Sequence, residues 1–277
     1  MMVAMTRLAT IRTPDGTRAV RVDDAIAVEI GHADVGTLLA DPAWRSLVAT
    51  ADGTSHPIDG LDYAPVVTNP EKVICVGLNY RDHIAEMGHA FPEYPTLFPK
   101  FARTLIGAYD PIARPPESVN MDWEAELTVV IGAEVRRADA DAARAAIAGY
   151  TVANDVSMRD YQRQTSQFFA GKVWEATTPV GPWLTVAEPG EPSPVARITS
   201  SVDGEVMQDS STGELLFDPV HLVQYVSTMI TLAPGDLILT GTPGGVGAGR
   251  QPARFLQPGE LLVTAIDGFG ELRNPIT

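Results

Sequence analysis

The sequence is poor in cysteine and contains no long apolar run. Cys75 is the single cysteine among 277 residues, so the chain cannot form an internal disulfide, and the surrounding "KVICVGL" is typical of a buried strand. The beginning of the chain, "MMVAMTRLATIRTPDG", has no apolar stretch of signal-peptide length, and no later run approaches the roughly 20 apolar residues of a membrane span. These absences predict a globular protein with no membrane partner and a cytoplasmic location.

Basic residues are scarce, and lysine is the scarcest of them. The chain has 20 basic and 35 acidic residues, a formal charge of -15, which argues against nucleic acid as a partner. Only Lys72, Lys100 and Lys172 are lysines, and the other 17 basic residues are arginines. A chain that prefers arginine can keep lysine where a compact ammonium is needed. Codon bias alone also explains the excess of arginine over lysine. The scarcity of lysine therefore makes the three lysines candidates and assigns them no role.

The pattern of short strands predicts a β-rich α+β fold in two parts. Residues 1–68 form a small N-terminal lobe, with a hairpin in "LATIRTPDGTRAVRV" and a short helix near "VGTLLADPAWRSLVATA", and residues 69–277 form the main domain. From Val73 onward the strands are β-branched and interrupted by glycine and proline. Helices are expected only near residues 80–87, 139–148 and 219–228, which favours a β-rich core over a doubly wound sheet.

Two glutamates stand two positions apart in "NMDWEAELTVVIG". Because a strand alternates its faces, Glu124 and Glu126 point together to one side, and the apolar residues of the segment line the other: Trp123, Ala125, Leu127, Val129 and Ile131. Asp155 follows another expected strand, in "YTVANDVSMRDYQ". Three carboxylates suit Mg²⁺ or Mn²⁺, whereas zinc lacks its usual histidine and cysteine patterns here. The alternative is a solvated strand face, with Asp155 in a turn or cap.

Four further segments contain residues that could carry chemistry. In "GLNYRDHIAEMG", His83 and Glu86 share a helix face, either as a general-base dyad or as an exposed ion pair. Lys172, in "FFAGKVWEATTPVGPW", either holds a substrate carboxylate or is a surface lysine with a buried stem, and Lys100, in "PTLFPKFARTLIG", has a similar setting. Near Thr242, "LAPGDLILTGTPGGVGAGR" is an anion-binding or purely structural turn, and it matches neither a P-loop nor a dinucleotide motif.

Taken in order, seven blocks resemble the fumarylacetoacetate hydrolase family. The blocks are "VGLNYRDHIAEMG", "PTLFPKFARTLIG", "DWEAELTVVIG", "ANDVSMRDYQ", "GKVWEATTPVGPW", "VDGEVMQDSST" and "LAPGDLILTGTPGGVG". The resemblance implies a C-terminal mixed β-sandwich or β-roll, a homodimer, and a divalent cation at the positions matching Glu124, Glu126 and Asp155. It also implies that His83 and Glu86 activate water, that Lys172 is the active-site lysine, and that Thr242 binds substrate. Three more residues, Lys100, Arg159 and Gln162, lie in motif blocks that border the substrate pocket in the family.

The activity implied by the resemblance is hydrolysis of an acylpyruvate, such as fumarylpyruvate, to pyruvate and a carboxylic acid during aromatic catabolism. A decarboxylase or isomerase of a dicarboxylic 2-oxo or hydroxy-diene acid is the alternative, since it uses the same enolate chemistry. A catalytically silent binding protein would have lost a metal ligand or the dyad, and this chain retains both. The departures "KVWE", where the family often has Lys-Ser-Phe-Asp, and "QFFAG" lie on the substrate side, so they bear on substrate identity more than on the metal.

Overall fold

The computed structural model describes residues 5–86, 88, 90–188 and 190–277, with the backbone alone for residues 83, 85 and 86. The chain begins with a hairpin whose "PDG" turn reverses its direction, as its sequence predicts. Two short helices follow the third strand. These elements are β1 (Arg7–Thr13), β2 (Gly16–Val22), β3 (Ile26–Glu29), α1 (Val35–Leu39), α2 (Trp44–Ala49) and β4 (Ser55–Pro57).

The middle of the chain supplies the central strands and most of the short helices. β-branched and apolar residues dominate its longer strands, all of which are largely buried. The elements are β5 (Val73–Gly77), α3 (Arg81–Glu86), β6 (Thr96–Lys100), β7 (Leu105–Ile106), β8 (Met121–Asp122), β9 (Ala125–Ile131), α4 (Ala140–Ala146), β10 (Ile147–Asn154), β11 (Ser157–Met158), α5 (Arg159–Gln162), α6 (Phe169–Lys172) and β12 (Thr178–Val186).

The C-terminal part adds a second sheet and the longest described helix. That helix begins at Pro219, after Asp218, whose side chain accepts a hydrogen bond from the His221 backbone as an N-cap. The elements are β13 (Arg197–Val202), β14 (Glu205–Ser211), α7 (Pro219–Met229), β15 (Leu237–Leu239), β16 (Leu261–Ile266) and β17 (Gly270–Pro275), with 3₁₀ turns at Ala102–Thr104, Thr212–Glu214 and Gly247–Gly249.

A large mixed sheet runs through the whole chain. Its order is β4-β3-β2-β1-β12-β10-β9-β15-β5-β6, with β7 beside β12, and a four-stranded sheet has the order β14-β13-β16-β17. The β15–β5 and β12–β7 pairs are parallel, and the other pairs in the two sheets are antiparallel. Since β1 pairs with β12, the N-terminal hairpin belongs to the same sheet as the strands from the middle of the chain. The predicted β-rich α+β class is confirmed.

The core lies on both faces of the large sheet. Leu127 and Val129 of β9 share one cluster with Ile198 and Ile266 of the four-stranded sheet, so the two sheets pack face to face. Val130, which points the other way, packs in a second cluster that covers α1 and α2. Cys75 is fully buried in that second cluster, and burial raises the pKa of its thiol well above the ordinary value, which confirms its predicted place in the core.

The expected helices and the exposed loop are present. Helices α3 and α4 lie within their predicted stretches, α7 extends one residue beyond its stretch, and the short helices α5 and α6 were not predicted. The described residues of "AEPGEPSPVA" are exposed or half-buried. None of the helices that the structure describes is long and apolar enough to cross a lipid bilayer.

Candidate active site

Three carboxylates converge where β9 and β10 meet. The ladder pairs Glu126 with Ala153, and beyond its end the Asp155 N–H donates to the Glu124 carbonyl at 2.9 Å. One carboxylate oxygen from each of Glu124, Glu126 and Asp155 lies within 4.8 Å of the other two, and all three residues are buried. The predicted acidic cluster therefore exists, and the solvated-face alternative is wrong.

The strand that carries the cluster begins later than its sequence suggests. β9 starts at Ala125, and the preceding Met121–Asp122 segment pairs instead with β11. Trp123 therefore packs in a third apolar cluster, apart from Leu127 and its neighbours, so its expected place on their face is wrong. Glu124 lies in the short irregular link between β8 and β9 and still reaches the cluster.

Two lysines neutralise part of the cluster. Lys172 Nζ donates to Glu124 Oε2 at 2.5 Å and to Asp155 Oδ2 at 2.8 Å, and Lys100 Nζ donates to Asp155 Oδ1 at 2.6 Å. Burial opposes ionisation of Asp155, but the charges of Lys100 and Lys172 outweigh it and lower its pKa. Burial likewise opposes the charge of Lys172, yet Asp155 and Glu124 raise its pKa, so its ammonium persists at neutral pH. Both lysines are buried, so the surface-lysine alternative is wrong.

Glu126 is the member of the cluster with uncompensated charge. Its Oε2 accepts a hydrogen bond from the Gly241 N–H at 2.8 Å, but no lysine or arginine forms an ion pair with it in the described part of the chain. Burial, followed by the charges of Asp155 and Glu124, raises the pKa of Glu126 well above its ordinary value of 4.5. An oxygen-only donor set fits a hard divalent cation.

Arg159 is held by three polar partners. Its Nε donates to Asp122 Oδ2 at 2.7 Å, its Nη1 donates to Gln162 Oε1 at 2.8 Å, and its Nη2 lies 2.6 Å from Glu124 Oε1. Burial opposes its charge, but Glu124 and Asp122 raise the pKa of the guanidinium further. Arg159 and Gln162 are three positions apart in α5, so their side chains lie on one face of the helix. This spacing explains why both residues of the motif block lie beside the cluster.

Asp122 is a residue of the candidate site that the sequence interpretation missed. Besides Arg159, its carboxylate accepts hydrogen bonds from the N–H groups of Gly247 at 2.7 Å and Ala248 at 3.0 Å. It therefore joins the glycine-rich turn to the acidic cluster. The sequence contains a pattern that could have identified it, because Asp122, Glu124 and Glu126 occupy alternate positions, which a continuous strand directs to the same side.

Thr242 is positioned by a second missed residue, Gln208 of β14. Gln208 Nε2 donates to Thr242 Oγ1 at 2.8 Å and to the Pro243 carbonyl at 2.9 Å. Its Oε1 accepts from the Ala125 N–H at 3.0 Å, so one amide connects the glycine-rich turn to the start of β9. Nothing in the local pattern of "VDGEVMQDSST" distinguishes Gln208 from a solvated strand residue.

The cluster opens onto a cavity of about 400 Å³. Its polar lining includes six of the residues described above: Glu124, Glu126, Arg159, Gln162, Lys172 and Thr242. Phe98 and Phe168 form an apolar wall, with the Lys172 ammonium 5.1 Å from the centre of the Phe98 ring. Lys100 and Asp155 are not among the lining residues, and the Lys100 ammonium contacts Asp155 instead.

The predicted dyad of His83 and Glu86 lies in α3, and its side chains are outside the described residues. Helix α3 begins three residues after Leu78, and Val76, Gly77 and Leu78 line the cavity. Asn79, before the helix, donates from Nδ2 to the Thr240 carbonyl at 2.7 Å. The beginning of α3 is thereby tied to the segment that carries Gly241 and Thr242.

A family comparison agrees with this geometry. Residues 72–277 match the model of the fumarylacetoacetate (FAA) hydrolase C-terminal domain, which is well over half of the chain. The chain belongs to this family. The resemblance expected from the seven motif blocks is confirmed.

Individual relatives include enzymes with different activities. A Bos taurus protein named oxaloacetate tautomerase FAHD2A, mitochondrial, is 42% identical over 239 residues, which cover 84% of this chain and 76% of the relative. The structure of 5-carboxymethyl-2-hydroxymuconate delta-isomerase from Mycobacterium smegmatis aligns with a TM-score of 0.81 at 34% identity, covering 98% of this chain and 99% of the other. Fumarylacetoacetate hydrolase from Exiguobacterium antarcticum aligns with a TM-score of 0.87 at 30% identity, over the same shares.

These relatives correct one expectation. The sequence interpretation predicted a cytoplasmic location, but the bovine relative is mitochondrial by name. The cytoplasmic prediction is therefore contradicted.

Proposed function

We propose that the protein is a divalent-metal-dependent isomerase that interconverts the keto and enol forms of a dicarboxylic 2-oxo acid such as oxaloacetate. This is the second of the two activities expected from the sequence. It is supported by the bovine relative named as an oxaloacetate tautomerase and by the solved relative named as a delta-isomerase. Glu124, Glu126 and Asp155 would hold the cation, and their oxygen-only set favours Mg²⁺ or Mn²⁺.

The observation that carries the proposal is that two carboxylates of the acidic cluster, Glu124 and Glu126, and a fixed ammonium line one cavity. When bound, a divalent cation supplies Lewis acidity toward the oxygens of a 2-oxo acid. Lys172 Nζ is held by Glu124 and Asp155, so it faces a developing negative charge on a substrate oxygen with little reorganisation. Interconversion of keto and enol forms needs this stabilisation and the movement of two protons, with no water consumed.

Lys172 is not suited to remove a proton. Its carboxylate partners raise its pKa, so it is already protonated at neutral pH. In the keto-to-enol direction a base takes a proton from the carbon beside the carbonyl, and the carbonyl oxygen gains one. We assign the first step to His83, oriented by Glu86, because α3 begins three residues after the cavity-lining segment of Val76, Gly77 and Leu78.

Replacing His83 tests this assignment. His83→Ala should lower kcat by roughly 100-fold or more, the scale of general-base catalysis, and leave Mg²⁺ affinity intact. His221→Ala, which removes an exposed imidazole in α7, is the matched control and should keep full activity. Steady-state kinetics and Mg²⁺ titration give the two readouts, and an unchanged kcat in His83→Ala would remove the dyad from the mechanism.

The reaction itself is tested by comparing three activities of one preparation. Decay of the enol form of oxaloacetate is followed by its ultraviolet absorbance, and pyruvate released from fumarylpyruvate or from oxaloacetate is followed with lactate dehydrogenase. We expect kcat/KM for enol decay in Mg²⁺ to exceed either pyruvate-forming reaction by at least about tenfold, or about 1.4 kcal/mol of transition-state free energy.

Hydrolysis is the second candidate, because the Exiguobacterium relative is named a fumarylacetoacetate hydrolase. A chelator-treated sample, restored with Mg²⁺, separates catalysed enol decay from the spontaneous reaction. Faster pyruvate release from fumarylpyruvate than enol decay would reject the isomerase and establish the hydrolase.

A further inference from the structure

The outer end of the cavity is formed by the segment between α5 and α6. Arg163, Thr165 and Ser166 of this segment line the cavity, and all three are exposed. The buried residues Glu124, Glu126 and Lys172 lie at its inner end. The cavity therefore has a buried charged end and a polar end open to solvent.

Arg163 differs from the other two basic residues of the cavity lining. Arg159 is bound by Asp122 and Glu124, and Lys172 is bound by Glu124 and Asp155. The Arg163 guanidinium takes part in none of the ion pairs found among the described residues, whereas its backbone N–H is fixed by the Arg159 carbonyl at 3.2 Å. Arg163 thus presents a free cation from an anchored backbone.

We propose that Arg163 binds the second carboxylate of a dicarboxylic substrate and selects diacids over monoacids. The inference rests on the proposed function, which places the 2-oxo acid group at the buried end. A guanidinium can bind a carboxylate through two parallel hydrogen bonds, which a lysine cannot reproduce. Ser166 supplies a neighbouring hydroxyl that forms no hydrogen bond among the described residues, while the Thr165 hydroxyl is occupied by Gln167.

Exposure sets the size of the expected effect. A hydrogen-bonded charge pair in a buried site can change affinity by more than tenfold, but solvent reduces the contribution of an exposed pair. Arg163 is exposed, and the cavity wall shields one side of it. We therefore expect the second carboxylate to improve binding by about tenfold.

The test uses two unreactive probes of equal chain length, malate and 2-hydroxybutanoate, which differ in the second carboxylate. Isothermal titration in Mg²⁺ should show that the wild-type protein binds malate about tenfold more tightly. Arg163→Gln should weaken malate binding by about that factor without changing 2-hydroxybutanoate binding, and Arg163→Lys should lose part of it. Arg273→Gln removes an exposed arginine of β17, paired with Glu271, and should change neither affinity.

Each outcome decides the inference separately from the proposed function. Equal affinities of the wild-type protein for the two probes, or an undiminished malate preference in Arg163→Gln, would overturn it. If enol decay of oxaloacetate is catalysed but Arg163→Gln keeps the preference, the subsite fails and the isomerase stands. If enol decay is not catalysed but the preference disappears in Arg163→Gln, the carboxylate subsite stands and the isomerase fails.

Discussion

Glu126→Gln should stabilise the metal-free protein and abolish its metal-dependent activity. The substitution removes a buried charge that is opposed by burial, Asp155 and Glu124, and the amide oxygen can still accept the Gly241 N–H. A gain of about 0.5–2 kcal/mol is typical of single stabilising substitutions. The loss of one of three cation ligands should lower Mg²⁺-dependent turnover by more than about 100-fold. Thermal melts with and without Mg²⁺, combined with activity assays, measure both effects.

The stability gain should depend on pH in a defined direction. Because the pKa of folded Glu126 lies above its ordinary value of 4.5, the folded protein retains a proton that the unfolded chain releases. Ionised Glu126 therefore costs stability as the pH rises from about 4.5 through the folded pKa, and the advantage of glutamine should disappear as the pH falls towards 4.5. Glu134→Gln, at an exposed position beyond β9, should show no such trend.

Mg²⁺ should raise the melting temperature of the wild-type protein but not that of Glu126→Gln. A ligand at 100 times its dissociation constant stabilises the folded state by about 2.7 kcal/mol. Equal Mg²⁺-induced shifts in the two proteins would mean that Glu126 is not a ligand, and a less stable metal-free variant would mean that its charge is compensated.

Alternation predicted that Glu124 and Glu126 lie together, and the expected end of a second strand predicted Asp155 as their partner. Alternation along β9 directs Glu126 and Leu127 to opposite faces of the sheet. Asp155 comes directly after Asn154, the last residue of β10 that pairs with β9. The same counting failed at Trp123, where the chain leaves one sheet for another. A change of sheet depends on tertiary pairing, which leaves no trace in the local pattern of apolar residues.

The partners that site residues have in distant parts of the sequence could not be predicted from single segments. Lys172 and Lys100 form ion pairs with carboxylates of the acidic cluster that lie 17 to 55 positions away in sequence, and these partners were not predicted. Gln208 reaches Thr242 across 34 positions. Such contacts follow from the packing of the two sheets, whereas the motif order sufficed to indicate the family.

Lys172→Met should have the largest effect on the metal-free protein. The substitution leaves Glu124 and Asp155 facing each other in a buried site, with Arg159 and Lys100 as their remaining partners. Removing one partner of a buried ion pair costs about 3–5 kcal/mol, and each kcal/mol lowers the melting temperature of a chain of this size by about 2–4 °C. Bound Mg²⁺ should recover part of this loss, because it replaces the missing positive charge.

Lys100→Met is the matched control, since Lys100 also pairs with Asp155 but does not line the cavity. Both variants should be destabilised without metal. In saturating Mg²⁺, Lys172→Met should lose about 100- to 1,000-fold in kcat, the scale of a removed transition-state donor, and Lys100→Met should lose much less. Equal losses of kcat would show that both lysines act only by holding Asp155, and the role of Lys172 towards the substrate would have to be abandoned.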